Sequence, residues 1–232
     1  NADELARRFN VTAKHSIEKM AAAYHDAFLT VSDITANECK YLLGREPDGV
    51  TPNGFENDFV WTGEEYYAKR DEARKAMIAV AEACLGEKFA GDPLIVGTSG
   101  RYEFRNKGID IFIESLKQLA ESDKLRREVL AYITVPAGNR GPRADLQAHL
   151  ADASNPIDGS QYKYTTHYLE NPAWDPIVNA LNDSVLTRPE SKVKVIFVPT
   201  YLNKADGIFN KDYYELLVGM DLTVFPSYYE PW

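Results

Sequence analysis

The chain has 232 residues, more than the common domain of about 100–150 residues and fewer than two comfortable α/β domains need. Apolar residues make up 44% and aromatic residues 12%, which excludes global disorder, and no apolar run approaches the roughly 20 residues of a membrane helix. A net charge of −9 argues against broad binding to DNA or an anionic membrane, but leaves room for a local basic pocket that takes one small anion. Cys39 and Cys84 show no metal-ligand spacing and make no disulfide framework, so a reducing cytoplasm is the expected setting.

In chain order, Leu5 to Ala27 reads as one helix, with Ile17, Met20, Ala21 and Tyr24 on a face. A short β-rich run, Ala27 to Val31, leads to Ser32-Asp33, a cap for a helix from Ile34 to Leu43 with Glu38 in its first turns and Gly44 as its stop. Gly49-Val50-Thr51 is a strand candidate, closed by the turn signal Pro52-Asn53-Gly54. Glu64 to Leu85 is charged and Ala-rich, and reads as a helix with Gly86 as C-cap. Leu94 to Ser99 is a buried strand, Gly108 to Ala120 an amphipathic helix, and Leu130 to Val135 a strand. Ala137 to Asn171 is polar and reads as a loop or insertion. Asp175 to Leu186 is helical, Val193 to Val198 a strand, Lys211 to Val218 helical, and Leu222 to Phe225 a strand.

From Leu94 onward, strands alternate with helices. That order predicts an α/β fold, a Rossmann-like parallel sheet with helices on both faces. Ligands in such sheets sit outside the carboxyl ends of the strands. Four loops therefore matter most: 97–107, 136–143, 199–203 and 226–232.

The first of these, Gly97 to Gly108, holds Arg101 and Lys107 between a strand and a helix N-terminus. Arginine offers a bidentate fork to a phosphate, lysine a point charge, and the helix end favours an anion. The loop matches neither a Walker A sequence nor G-x-G-x-x-G. Composition leaves two readings of it open, a phosphate or diphosphate site and a surface turn with solvated cations. The last loop sets Glu230 beside Tyr228 and Tyr229. A carboxylate and aromatic rings suit a sugar, and an ordinary aromatic loop explains the same residues. His15, His25, His149 and His167 have no metal-ligand spacing, and no metal or cofactor is expected. The first residues carry neither an initiator Met nor a signal-peptide pattern, and the last are aromatic where C-termini are usually polar. Both ends lead us to expect a segment of a larger protein.

Four stretches together resemble the animal and fungal type of glycogen synthase, a GT-B glycosyltransferase family. They are Phe28 to Thr35 with Val50-Thr51-Pro52-Asn53-Gly54; Gly100-Arg101-Tyr102-Glu103-Phe104-Arg105-Asn106-Lys107-Gly108; Thr166-His167 with Asp175-Pro176-Ile177 and Val193 to Phe197; and Val224 to Trp232, similar to the family's "VFPSYYEPWG". The resemblance implies a partial GT-B fold in an internal fragment of a bacterial member. On it, residues 1–56 are the last part of the N-terminal domain and 57–92 a mostly helical linker. Residues 93–232 then begin the nucleotide-sugar domain, with an insertion at 137–165. It further implies retaining transfer of glucose from UDP-glucose to an α-1,4-glucan. The catalytic residues would be Arg101, Lys107 and Glu230. Arg101 and Lys107 would hold the donor diphosphate, Glu230 would lie against the donor sugar as the first acid of an E-x7-E motif, and Tyr213 would pack on the uracil.

This sequence departs from the family pattern in four places. It stops before the second acid of E-x7-E, Pro199-Thr200-Tyr201-Leu202 replaces "HPEFL", the 137–165 stretch is shorter than the eukaryotic insertion, and no regulatory arginine cluster is present. The expected partners are a nucleotide sugar and a glucan, with no nucleic acid or membrane and with an oligomer open. The 232-residue chain alone is expected to be inactive. The rival readings are a related transferase with another donor or acceptor, a non-catalytic carbohydrate or nucleotide module, and a dinucleotide oxidoreductase. The missing G-x-G-x-x-G disfavours the last.

Overall fold

A computed structural model describes residues 1–158, 162–182 and 184–231. Trp232, which ends the fourth matching stretch, and residues 159–161 of the expected insertion lie outside the described residues. The chain divides into two compact units. One holds Asn1–Asn57 and the last residues from Tyr229, the other Asp58–Tyr228.

The first unit contains α1 (Ala2–Arg8), α2 (Thr12–Tyr24), β1 (Leu29–Thr30), α3 (Asp33–Leu42) and β2 (Gly49–Val50). The single helix expected over 5–27 is thus two helices. Asn10 takes a left-handed backbone (φ 56°) between them, a conformation asparagine tolerates better than most residues. Ser32 caps α3 as expected. Its partner in the capping box is Thr35, whose hydroxyl accepts from the Ser32 backbone N–H at 3.1 Å. Glu38 instead accepts a hydrogen bond from the Tyr229 hydroxyl at 2.7 Å. β1 and β2 pair in parallel. The turn expected at Pro52-Asn53-Gly54 does not form, and residues 51–56 carry no regular element.

The second unit is built on four parallel strands, β3 (Leu94–Ser99), β4 (Val129–Thr134), β7 (Val193–Val198) and β8 (Leu222–Thr223), in the spatial order β7-β4-β3-β8. Side chains on successive strand residues alternate between two cores. Val96, Ala131, Ile133, Val195 and Phe197 pack with Ile109, Phe112, Ile113 and Leu116 of α5 (Ile109–Ala120) and with Ile177, Val178 and Leu181 of α7 (Pro176–Leu181). On the other face, Ile95, Leu130, Tyr132, Ile196 and Val198 meet Met77, Val80, Ala81 and Cys84 of α4 (Gly63–Leu85). Leu146 of α6 (Ala144–Ala151) and Leu216 of α8 (Tyr213–Leu217) join this second core. The large aliphatic and phenylalanine side chains among them each contribute roughly 1.5–3 kcal/mol on burial. The expected parallel sheet with helices on both faces is therefore the observed one.

The stretch read as a polar loop is more ordered than its composition suggested. Besides α6 it holds β5 (Asn139–Pro142) and β6 (His167–Leu169), which pair antiparallel. Arg143, between β5 and α6, is buried. It reaches the Asp145 carboxylate at 2.6 Å and the carbonyls of Lys163 and Thr165. The sheet is also tied to α4 by ions. Asp221, just before β8, accepts from Arg70, from Arg74 at 2.9 Å and from the Ile95 backbone N–H at 2.8 Å.

Candidate functional site

The carboxyl ends of β3, β4 and β7 open onto a cleft of about 360 Å³, lined by Ser99, Gly100, Arg101, Thr134, Pro136, Thr200, Tyr201, Leu202 and Tyr213. Three of the four loops singled out from the sequence contribute to it. Its position follows from topology, because parallel strands leave their loops splayed at the carboxyl edge. Larger clefts open elsewhere among the described residues: two of about 610 and 650 Å³ with no arginine in their lining, one of about 460 Å³ lined by Arg140 and Arg143, and one of about 370 Å³ lined by Arg188.

The loop from Gly100 to Gly108 forms one wall. The Arg101 side chain is 76% exposed, with its Nε 3.3 Å from the Glu103 carboxylate. Asn106 Nδ2 donates to the other oxygen of Glu103 at 2.6 Å. The loop thus carries three cations, Arg101, Arg105 and Lys107, against one acid, Glu103. Lys107 closes its last turn, with its backbone N–H bonded to the Glu103 carbonyl at 2.9 Å. α5 starts immediately after, so its N-terminal dipole adds to the positive field.

Gly108 makes this geometry possible. Its φ is 64°, and the Pro226 carbonyl packs where a β-carbon would stand. The Tyr228 backbone N–H donates to the Asn106 carbonyl at 3.0 Å. The segment after β8 is in this way docked on the end of the cationic loop.

Tyr213, the first residue of α8, also lines the cleft. Its hydroxyl and that of Ser99 are 2.6 Å apart. Burial pushes the Tyr213 phenol pKa up, and the Ser99 bond only partly opposes this. The ring therefore serves as an apolar, uncharged surface. Tyr102, also in the loop, is turned away from the cleft. It accepts from the Ile177 N–H at 3.2 Å and meets the Phe197 ring edge-on, with centroids 6.3 Å apart.

Of the residues expected from the sequence, Arg101 and Tyr213 line one cleft, and Lys107 lies six residues on in the same loop. Glu230 belongs to the other compact unit, where its neighbour Pro231 accepts from the Ser32 hydroxyl at 2.8 Å. Ser99, Thr200 and Tyr201 fall in loops that the sequence marked without singling these residues out, and Thr134 falls outside them. Each sits at or just past a strand end, which was the available signal. His167 is packed, with Nε2 3.0 Å from the Asp206 carbonyl and Nδ1 2.9 Å from the Thr166 hydroxyl. Among the described residues no group of three or more His, Cys, Asp or Glu side chains could hold a metal ion, and no helix is long and apolar enough to cross a membrane.

Comparison with known proteins gives a consistent result. The family model described as glycogen synthase matches residues 1–145 and 159–232. The chain is 28% identical over 296 residues to glycogen [starch] synthase isoform 2 of Saccharomyces cerevisiae, covering 100% of this chain and 42% of that protein. It is 29% identical over 289 residues to glycogen [starch] synthase of Neurospora crassa, covering 100% of this chain and 41% of that protein. The liver glycogen [starch] synthase of Homo sapiens is 27% identical over 289 residues, with 100% of this chain and 40% of that protein covered. The chain thus spans about two fifths of the length of these relatives. The gap in the family match, 146–158, falls within the stretch expected as an insertion.

Proposed function

Since the chain belongs to the glycogen synthase family, we propose that the protein is a retaining glycosyltransferase that moves glucose from UDP-glucose to the non-reducing end of an α-1,4-glucan. The observation that carries this reading is the pairing of a cationic loop with an uncharged tyrosine face, Arg101 and Tyr213, in one cleft at the sheet's carboxyl edge.

In the reaction the bond from the anomeric carbon to the diphosphate oxygen breaks, and its electron pair leaves with the diphosphate. The acceptor hydroxyl forms the new bond on the same face of the sugar and gives its proton to an oxygen of the departing diphosphate. Arg101 and Lys107 stabilise the charge that builds on the leaving diphosphate. They are positive groups, and their hydrogen bonds to phosphate oxygens are charge-assisted. Tyr213 supplies the surface on which the uracil packs, and Glu230 lies against the donor glucose.

In this reading residues 1–56 form the last part of the first catalytic domain, 57–92 a helical connection, and 93–232 the start of the nucleotide-sugar domain. The partners are the nucleotide sugar and the glucan, in the cytoplasm. The 232 residues alone are inactive, because they span 42% of the S. cerevisiae relative and carry part of the machinery.

The test is glucose incorporation into glycogen by the intact protein, with UDP-glucose and ADP-glucose in parallel and digestion of the product by an α-1,4-specific amylase. Incorporation from UDP-glucose into amylase-sensitive product is expected. Incorporation from ADP-glucose alone would overturn the donor assignment, and none from either donor would overturn the activity.

A further inference from the structure

We propose that Ser99 is a positioning residue for the donor's base, acting through Tyr213. The inference rests on the reading of Tyr213 as the base platform. Ser99 is the last residue of β3 and sits two residues before Arg101. Its Oγ lies 2.6 Å from the Tyr213 hydroxyl, and both side chains line the 360 Å³ cleft.

Tyr213 needs such a tether because its own element is weak. α8 is a single five-residue helix that buries Leu216, and Tyr213 is its first residue. A helix this short holds little by itself, since nucleation is unfavourable and end residues fray. The Tyr214 ring meets Tyr213 edge-on, with centroids 5.4 Å apart, and restrains the ring from the side. Ser99 fixes the far end, the hydroxyl. It does so from the sheet, since Ser99 is in register with Thr134 in the parallel β3–β4 ladder. The hydrogen bond thus ties the hydroxyl end of the aromatic platform to the sheet.

A group that orients a binding surface lowers the cost of ordering that surface when the ligand arrives. Losing one hydrogen bond of ordinary strength corresponds to about a fivefold loss of affinity. The loss falls on binding that is equal in ground and transition state, and so it raises KM and leaves kcat unaltered.

The experiment titrates UDP, uridine and inorganic pyrophosphate against the intact wild-type protein and the variants Ser99→Ala, Ser99→Thr, Tyr213→Phe, Tyr213→Ala and the Ser99→Ala/Tyr213→Phe double. Expected results are an approximately fivefold weaker affinity for UDP and uridine in Ser99→Ala and in Tyr213→Phe, with the double no worse than either single. Ser99→Thr, which keeps the hydroxyl, restores binding, and pyrophosphate affinity is unchanged throughout. If Tyr213→Ala weakens UDP but Ser99→Ala does not, the positioning role is overturned and the platform stands. If Tyr213→Ala binds UDP as wild type does, both fall. Weaker pyrophosphate binding in Ser99→Ala, or additive losses in the double, would make Ser99 a structural support of the loop and overturn the proposal.

Discussion

Gly86 and Gly108 have nearly the same backbone, φ 71° and ψ 24° against φ 64° and ψ 25°, yet different surroundings. A β-carbon at Gly86 would meet open space, whereas one at Gly108 would fall inside the backbone carbonyl of Pro226. An alanine in the left-handed region costs about 1–2 kcal/mol in the folded state. The stiffer unfolded chain returns roughly 0.4–1 kcal/mol of that. Gly86→Ala should therefore destabilise the protein by about 1 kcal/mol. Gly108→Ala carries the same backbone cost and an overpacking cost of about 1–3 kcal/mol, because a carbonyl and a proline ring cannot rotate aside. Its total is about 2–4 kcal/mol. The two variants should separate in urea, with lower midpoints, unchanged m-values and the Gly108 variant unfolding first. UDP affinity should fall in Gly108→Ala alone, since displacing Pro226 disturbs the Tyr228–Asn106 bond at the end of the cationic loop. Equal destabilisation of the two variants would refute the close approach at Gly108 and the docking of the 226–228 segment built on it.

Other features give separate tests. Burial alone would raise the Asp221 carboxyl pKa, but the Ile95 N–H with Arg74 and Arg70 outweighs it and holds the group below the usual carboxylate range. Its contribution is therefore present above about pH 4 and is lost as the pH falls through the lower folded value. Asp221→Asn should cost about 1.5–3 kcal/mol at pH 7, and the gap to wild type in urea melts should narrow as the pH falls below about 4. Burial pushes the His167 pKa down, against the opposing Asp206 carbonyl. The unfolded chain thus binds the proton first, and stability falls as the pH drops below about 6.5. His167→Asn should flatten that slope, and an unchanged slope would contradict the packed neutral ring. Burial pushes the Cys84 thiol up to about 12, so a thiol reagent at pH 8 should modify it only after unfolding. Rapid modification of both Cys39 and Cys84 in the native protein would contradict the buried position.

The parts of this structure that could be read from the sequence are those decided by local periodicity. β3 and β7 are apolar runs of strand length, and the observed strands run over the expected residues, Leu94–Ser99 and Val193–Val198. Gly86 ends α4 where its left-handed backbone requires a glycine. What was missed is tertiary. β5 is Asn-Arg-Gly-Pro, a sequence of turn formers held as a strand by pairing with β6, while Asn139 Nδ2 donates to the Pro199 carbonyl at 2.8 Å. Asp221 finds Arg74 across a sequence separation of 147 residues, which no local pattern encodes. Asn10 broke a continuous helical pattern through one residue's tolerance of positive φ. In the cleft, Arg101 was visible because a cation in a glycine-bounded loop stands out in an acidic chain. Ser99 was not, because a serine at a strand end gains its meaning from a tyrosine 114 positions away.

Binding of a nucleotide sugar's diphosphate by the loop from Gly100 to Gly108 is tested most directly by calorimetric titration of UDP against the intact protein and its Arg101→Ala and Lys107→Ala variants. A lost charge-assisted contact of about 1.5–3 kcal/mol predicts UDP binding weaker by roughly 10- to 150-fold in each variant, with uridine affinity unchanged. UDP binding equal to wild type in both variants would contradict the claim.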